Sequence, residues 1–241
     1  CLPCIILWLL MLTLLSRYAL AATLQVAPVT LDLQSGQRAS AVYLTNSGKA
    51  AIHAQIRVYE WTQQNGKDVL TATDEVVSSP AMTSLAPGQQ QLVRIIVMEP
   101  GIREQEQSYR LVIDELPDET SRAANPNAVH FLLRYSIPVF IAGNQNMPVS
   151  RDALSCEQAE PPGTIRCYNA GNSHIRLSHL LALTASGQVV GSVKGLAGYV
   201  LPGQTALVTL KQASHHTLSA LRAYLNDEHH ASQIPLRPLA T

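Results

Sequence analysis

The sequence predicts an all-β protein of two immunoglobulin-like β-sandwich domains joined by a short hinge, and three observations support this. Apolar residues alternate at period two in many short runs, as in strands that bury one face. Turn residues such as Asn65-Gly66 and Ala86-Pro87-Gly88 separate these runs at spacings of roughly 8–12 residues. The chain of 241 residues shows no convincing helical period and is long enough for two small domains.

Residues 1–21 are predicted to be a signal peptide. Leu2 to Leu15 is almost wholly apolar, and Ala19-Leu20-Ala21 provides an A-x-A cleavage site before Ala22. The run is shorter than the roughly 20 apolar residues that a transmembrane helix needs. We therefore expect a cleaved leader and an exported protein without stable membrane insertion. Because no methionine precedes the run, we also expect the true translation start to lie outside this sequence.

Charge argues against several classes of partner. With Arg17 lost in the leader, 16 basic residues face 17 acidic ones. A net charge near zero is unlike a nucleic-acid-binding protein, and the sequence has no polybasic patch for a membrane. Charged residues make up 14% of the chain, against a usual quarter. This low fraction favours a protein that keeps apolar surface for a partner, although a Val/Leu-rich sandwich explains it equally well.

The first domain is predicted over residues 22–143. Its first strand, within Thr23 to Gln37, loses its alternation at Ala27-Pro28, where we expect the strand to kink or to switch sheets. The further strands predicted here lie at 41–46, 52–61, 68–71, 76–85, 90–98, 109–116 and 129–140.

The last two of these strands form an unusual hairpin. The connection Pro117 to Asn127 is long and polar, and loops of this length are usually functional or disordered. The strand that follows, Val129 to Phe140, is apolar at every second position. Since a mobile loop packs poorly over the start of that strand, we expect its early apolar face to be available to a partner.

The second domain is predicted over residues 150–241, after a hinge at 144–149. Cys156 and Cys167 flank the turn Pro161-Pro162-Gly163 and are the only cysteines outside the leader. Two cysteines beside one turn of an exported chain most simply form a disulfide. Strands are predicted at 175–183, 188–193, 206–210 and 220–226.

No catalytic constellation is found, so we predict a protein that is not an enzyme and that uses no cofactor or metal. Asp114 and Glu115 are neighbours on one strand and point to opposite faces. The pairs His215-His216 and His229-His230 lie in polar, turn-like segments, where solvated histidines are commoner than metal ligands.

Several segments carry a resemblance to a known family. YRLVIDELP and FLLRYSIPVF, on either side of the long loop, resemble the corresponding hairpin of periplasmic pilus-assembly chaperones of the PapD-like superfamily, archaic Csu-type branch. VYLTNSGKAAIHAQIRVYEW, MTSLAPGQQQLVRI and YVLPGQT resemble the same family in the same order. The resemblance implies an L-shaped periplasmic chaperone that captures, folds and caps pilus subunits (pilins) and delivers them to an outer-membrane usher.

The implied mechanism is donor-strand complementation, in which a chaperone strand fills a subunit that lacks one of its own. The residues matched to the donor strand are Val129, Phe131 and Leu133, with Tyr135 at the end of the series. An exposed apolar strand would also allow the free chaperone to associate with itself.

The family also binds the subunit's C-terminal carboxylate through basic residues, and here the sequence departs from the classical pattern. The first strand has no basic residue, and the usual lysine position falls near Ile137-Pro138. Arginines on inner strands are the substitutes, because a guanidinium binds a carboxylate bidentately. We favour Arg94 and Arg134 as the carboxylate anchor, with Arg110 third.

An extracellular pilin or adhesin subunit is the alternative function. Such a subunit would be one incomplete sandwich with an alternating N-terminal extension. Thr23 to Leu33 does alternate, but Pro28 interrupts it and a second domain is unexpected. A secreted enzyme is the third possibility and lacks an identifiable site.

Overall fold

The computed structural model describes residues 24–117, 131–143, 153–213 and 215–237, and these ranges are built of β-strands. They contain no α-helix, and no helix within them is long and apolar enough to cross a membrane. We call strands β1–β10 the first domain and β11–β17 the second domain. The predicted boundaries around the hinge stay predictions, because residues 144–152 lie outside the described ranges.

The first domain packs two sheets face to face. The four-stranded sheet has the order β1-β3-β8-β6, and the other sheet has the order β2-β10-β9-β4-β5, with β7 pairing with β4. Its strands are β1 Leu24–Ala27, β2 Leu31–Leu33, β3 Ala39–Asn46, β4 Ile52–Gln64, β5 Lys67–Ala72, β6 Val76–Ser79, β7 Met82–Leu85, β8 Gln90–Val97, β9 Gln107–Leu116 and β10 Arg134–Ile141.

The first strand switches sheets at Ala27-Pro28, as predicted. β1 pairs antiparallel with β3 in the four-stranded sheet, whereas β2 pairs parallel with β10 in the other sheet. Proline cannot donate a ladder hydrogen bond and is confined to strand edges, strand starts and bulges, which fits a break in the ladder at Pro28. As a result, β2 pairs with β10 only along the C-terminal end of β10.

The core between the two sheets is made by alternating residues. On β4 the inward residues are Ile52, Ala54, Ile56 and Val58, while His53 and Arg57 point outward. Each fully buried large apolar side chain stabilises the fold by roughly 1.5–3 kcal/mol relative to exposure. The sandwich is therefore held together mainly by this alternation.

The strand β10 begins later than the sequence predicts. The predicted strand spans residues 129–140, but β10 begins at Arg134, opposite Asp114. Its neighbour β9 ends at Leu116, so the described residues 131–133 have little opposing strand. Leu133 keeps one backbone hydrogen bond to Glu115 at 2.9 Å.

The second domain is a seven-stranded sheet of order β14-β13-β16-β17-β11-β12-β15 that surrounds its own apolar core. Cys156 and Cys167 face each other across β11 and β12 and form a disulfide, with a Cα–Cα distance of 4.1 Å. The predicted pairing is thereby confirmed. The strands are β11 Leu154–Ala159, β12 Thr164–Asn169, β13 Ile175–Leu183, β14 Val189–Val200, β15 Thr205–Thr209, β16 Ala220–Leu225 and β17 Ser232–Arg237.

Both domains contain a buried asparagine at the end of a strand. Asn46 ends β3 and Asn169 ends β12, and both side chains are fully buried. The Asn46 amide donates to the Leu85 carbonyl at 2.9 Å, and the Asn169 amide donates to the Val200 carbonyl at 2.9 Å. Each amide also bonds to the turn beside it, so both asparagines satisfy polar backbone that would otherwise be buried unpaired.

Candidate functional site

Two of the strand edges of the first domain, those of β10 and β1, lie open next to each other. β10 pairs with β9 along its whole length, but with β2 only over Val139–Ile141. Within the described residues, Arg134–Pro138 therefore has no strand on that side, and β1 likewise pairs only with β3. Unpaired backbone groups on an edge are a template for a strand from another chain.

The side chains at this open edge differ in exposure. Phe131 is 84% exposed, whereas Leu133 and Tyr135 are partly buried against the core of the first domain. The Tyr135 hydroxyl donates to the backbone carbonyl of Leu24 on β1, so it spans the gap between the two edges. Val129, the fourth residue matched to the donor strand, lies outside the described residues.

A carboxylate between two arginines lies beside the open edge. Asp114 on β9 accepts from Arg57 at 2.6 Å and from Arg134 at 2.9 Å. The hydrogen bond to Asp114 raises the pKa of Arg57. Arg134 is therefore committed to an ion pair, although its side chain is well exposed.

Arg110 occupies a different kind of place. Its guanidinium lies 3.6 Å from the centre of the Trp61 ring and 5.5 Å from that of Tyr199, which belongs to the second domain. Burial lowers the pKa of Arg110. Within the described residues, the Arg110 guanidinium donates one hydrogen bond, to the Ser136 carbonyl at a long 3.5 Å, and it forms no ion pair. Asp68 acts on it electrostatically without a direct contact, so Arg110 is a half-buried cation held mainly by aromatic rings.

The three arginines are not brought together. Arg94 lies on the outer face of the four-stranded sheet, opposite Ala41, and makes no ion pair within the described ranges. Arg110 and Arg134 share the outer face of the other sheet, where Arg110 pairs with Pro138. Four residues along one strand correspond to about 13 Å, and the two guanidinium groups are held by different partners, Trp61 for Arg110 and Asp114 for Arg134.

Aromatic and polar contacts join the two domains around Arg110. Trp61 and Phe140 of the first domain form one buried cluster with Tyr199 and Leu201 of the second domain. The Gln63 side chain donates to the Tyr199 carbonyl at 2.8 Å and accepts from the Leu201 backbone N–H at 3.0 Å. The sequence pattern did not predict this junction. Its signal in the sequence is limited to the aromatic Trp61 and the amide Gln63 at outward positions of β4.

The tip of the β4–β5 hairpin makes a second connection to the second domain. The Leu207 backbone N–H donates to the Gly66 carbonyl at 2.9 Å. Gly66 has a φ of 78°, and a β-carbon on it would come within 2.2 Å of the Leu207 side chain. The turn Asn65-Gly66 therefore serves the domain junction as well as the hairpin.

The other carboxylate at the end of β9, Glu115, accepts from the Leu133 backbone N–H at 3.2 Å. Within the described ranges, no three His, Cys, Asp or Glu side chains are grouped as metal ligands would be.

Comparison with known proteins places this geometry in a family. The family model for the PapD N-terminal domain of pili and flagellar-assembly chaperones matches residues 23–145. Comparison with curated protein sequences finds no significant match.

Solved structures share the fold over nearly the whole chain. A chain of the CsuC-CsuE chaperone–tip adhesion subunit pre-assembly complex of Acinetobacter baumannii is 24% identical, with a TM-score of 0.68, over 91% of this chain and 100% of that one. A chain of the Salmonella enterica complex of SafA pilin with the SafB chaperone is 14% identical, with a TM-score of 0.63, over 90% of this chain and 97% of that one. The Pseudomonas aeruginosa CupB2 chaperone is 17% identical, with a TM-score of 0.58, over 87% of this chain and 97% of that one. Because the family model covers just over half of the sequence, the chain belongs to the family of PapD-like pili and flagellar-assembly chaperones.

Proposed function

We propose that the protein is a periplasmic chaperone that captures, folds and caps pilus subunits by donor-strand complementation and delivers them to an outer-membrane usher. The observation that carries this proposal is the open edge of β10 at Arg134–Pro138, next to the exposed ring of Phe131. Two similar structures are named as complexes of a chaperone with a pilin or a tip adhesion subunit.

The physical basis is that a subunit lacking one strand exposes both an unpaired sheet edge and an apolar groove. Both are costly in water. A strand supplied by the chaperone provides backbone hydrogen bonds and alternating apolar side chains together. Val129, Phe131 and Leu133 are the proposed donors, with Tyr135 at the end of the series. Phe131 alone would contribute roughly 1.5–3 kcal/mol on full burial.

We propose Arg110 as the first candidate for the anchor of the subunit's C-terminal carboxylate, ahead of Arg134 and Arg94. Three features support it: Arg110 is half-buried, its guanidinium is fixed against Trp61, and it pairs with no carboxylate of the described residues. Arg134 would have to exchange Asp114 for the subunit carboxylate. Arg94 forms no ion pair with a described residue but is well exposed, so water competes more strongly for any anion bound there.

Co-expression with a pilin of a chaperone–usher pilus tests the proposal, with the captured pilin measured by co-purification and size-exclusion chromatography. Arg110→Ala should lower capture by tens- to thousands-fold while the protein stays folded, because one partner of a desolvated charge pair is lost. Arg134→Ala and Arg94→Ala rank the alternatives, and the exposed Arg38→Ala is the matched control. Normal capture by the Arg110 variant would exclude that residue as the anchor. A wild-type chain that polymerises by itself and captures no pilin would instead indicate a structural pilus subunit.

Export is part of the same proposal. The leader at residues 1–21 should be removed, so that N-terminal sequencing of protein from the periplasmic fraction returns Ala22 as the first residue. An uncleaved or membrane-bound chain would contradict the proposed location.

A further inference from the structure

We propose that His174 of the second domain is a positioning residue for subunit capture, because it fixes the base of the β9–β10 hairpin and, through it, Arg110. This inference rests on the proposed function. It assigns the second domain a part in the placement of the elements that bind the subunit, although the open edge and the proposed anchor belong to the first domain.

Four hydrogen bonds join the start of β9 to the segment before β13. The Glu106 carboxylate accepts from His174 Nδ1 at 2.9 and 3.0 Å and from the His174 backbone N–H at 2.9 Å. The Glu106 backbone N–H in turn donates to the Asn172 carbonyl at 2.9 Å. The Glu106 side chain is 8% exposed and that of His174 is 19% exposed, so water competes weakly for these bonds.

The same imidazole packs on the other strand of the hairpin. The ring of His174 stacks on that of Phe140 with a centroid distance of 3.6 Å and an angle of 9° between the planes. Phe140 lies near the C-terminal end of β10, whereas Glu106 comes just before β9. One side chain of the second domain therefore holds both strands of the hairpin at their base.

A continuous series of contacts leads from His174 to the proposed anchor. Phe140 lies 5.9 Å from Trp61, centroid to centroid, and the Arg110 guanidinium lies 3.6 Å from the Trp61 ring. Tyr199 closes the cluster from the second domain, 5.8 Å from His174 and 5.5 Å from Trp61. A displacement of His174 would therefore reach Arg110 through rings that are already in contact.

The open edge of β10 explains why the base of the β9–β10 hairpin has to be fixed. Among the described strands, none lies beside Arg134–Pro138 on the outer side of β10, so the direction of this segment depends on β9 and on the base of the hairpin. A subunit that meets the edge and Arg110 together requires a fixed spacing between them. Ordering that spacing before the subunit arrives removes an entropic cost from binding.

Trp61 provides a direct readout of this junction. The chain has two tryptophans, Trp8 and Trp61, so a Trp8→Phe background leaves Trp61 as the only emitter whether or not the leader is cleaved. In that background we would compare His174→Ala, His174→Phe and Glu106→Gln for Trp61 emission, melting temperature and pilin capture. His230→Ala, an exposed histidine of the second domain, is the matched control.

We expect His174→Ala to shift the Trp61 emission of the folded protein and to lower capture about tenfold, in line with the loss of a hydrogen bond to a charged group. His174→Phe keeps the stacking and Glu106→Gln keeps an acceptor, so both should lie between His174→Ala and the wild type. His230→Ala should match the wild type.

Two results would overturn the inference. The first is wild-type emission and capture in a folded His174→Ala or His174→Phe variant, even if its melting temperature is lower. The second is a changed Trp61 emission together with normal pilin capture in both Glu106→Gln and His174→Phe. The junction would then have moved without affecting the binding of the subunit. If the wild-type protein captures no pilin, the proposed function fails and the role of His174 in capture fails with it.

Discussion

The two ends of one apolar run, residues 131–141, have opposite environments. Ile137–Ile141 is buried and, from Val139 onward, paired on both sides by β9 and β2. Phe131 is 84% exposed, and Arg134–Ser136 pairs with β9 alone among the described strands. The alternation of the sequence continues through both ends, so it is the neighbouring strand that decides which end is buried.

This difference separates stability from binding within a single strand. The C-terminal end serves the core and the domain junction, while the N-terminal end leaves hydrogen-bonding groups and an aromatic ring uncovered. The chain contains only two phenylalanines, Phe131 and Phe140, and they lie one in each end. They form a natural pair with which to test the comparison.

The largest loss of stability is expected from Phe140→Ala. Phe140 is 2% exposed and packs on Trp61, Tyr199 and His174. Truncating a buried phenylalanine typically costs about 3–5 kcal/mol of unfolding free energy. Urea unfolding of the variant would measure this. A loss below about 1 kcal/mol would mean that the junction tolerates the cavity and that the buried end is not essential for stability.

A smaller loss, outside the strand, is expected from removing the disulfide. A loop as short as that closed by Cys156 and Cys167 corresponds to roughly 2–3 kcal/mol on the chain-entropy estimate. The double variant Cys156→Ala/Cys167→Ala should therefore unfold at lower urea concentration but still capture pilin while folded. Loss of capture in the folded double variant would show that the second domain influences the open edge through more than the junction.

The next effect depends on pH. Burial, and then the hydrogen bond to Glu75 at 2.8 Å, raise the pKa of Tyr109, which pairs with Val139 in the buried end of β10. An unfolded tyrosine loses its proton near pH 10, whereas folded Tyr109 keeps it. The unfolded state then binds fewer protons, so the unfolding free energy falls above about pH 10, by at most about 1.4 kcal/mol per pH unit.

The variant Tyr109→Phe isolates this contribution. Its unfolding free energy should decline less steeply than that of the wild type between pH 10 and 11.5, measured by urea titration at each pH. Parallel curves for the two proteins would show that the hydroxyl ionises as easily in the folded protein as in the unfolded chain.

The smallest change in stability is expected from Phe131→Ala. Since the ring is 84% exposed, the free protein should lose no more than about 0.5 kcal/mol. Capture of a co-expressed pilin should nevertheless fall, because the ring is proposed to enter the subunit. A strong loss of stability with normal pilin recovery would reverse the comparison and remove Phe131 from the donor strand.

Much of the fold could be predicted from local sequence. The alternation of apolar residues predicted the strands, and Pro28 predicted the change of sheet. The export context of Cys156 and Cys167 predicted their pairing. The start of β10 was predicted too early, because an apolar period at 129–133 does not reveal that the opposing strand ends at Leu116. Whether a segment forms a strand depends on the length of the neighbouring strand. The alternation within the segment does not indicate that length.

The site was less predictable because its geometry is tertiary. Arg94, Arg110 and Arg134 all lie on strands of the first domain, so the sequence could not tell them apart. What separates them is a ring from the second domain beside Arg110 and a carboxylate beside Arg134. His174 gave no signal either, since a histidine after a turn is commonly solvated.

The ion pairs at Asp114 have a kinetic consequence. One carboxylate between Arg57 and Arg134 neutralises only one of them, but Glu115 lies beside Leu133 at the same edge, and Asp68 acts electrostatically on Arg110 further along the sheet. The charges of this face therefore nearly balance, and little net potential reaches beyond the screening length of about 8 Å at physiological ionic strength. A partner would gain little speed from long-range attraction, so the rate of capture should change little as salt is diluted. The docking of a strand, rather than electrostatic steering, should then limit how quickly a partner binds.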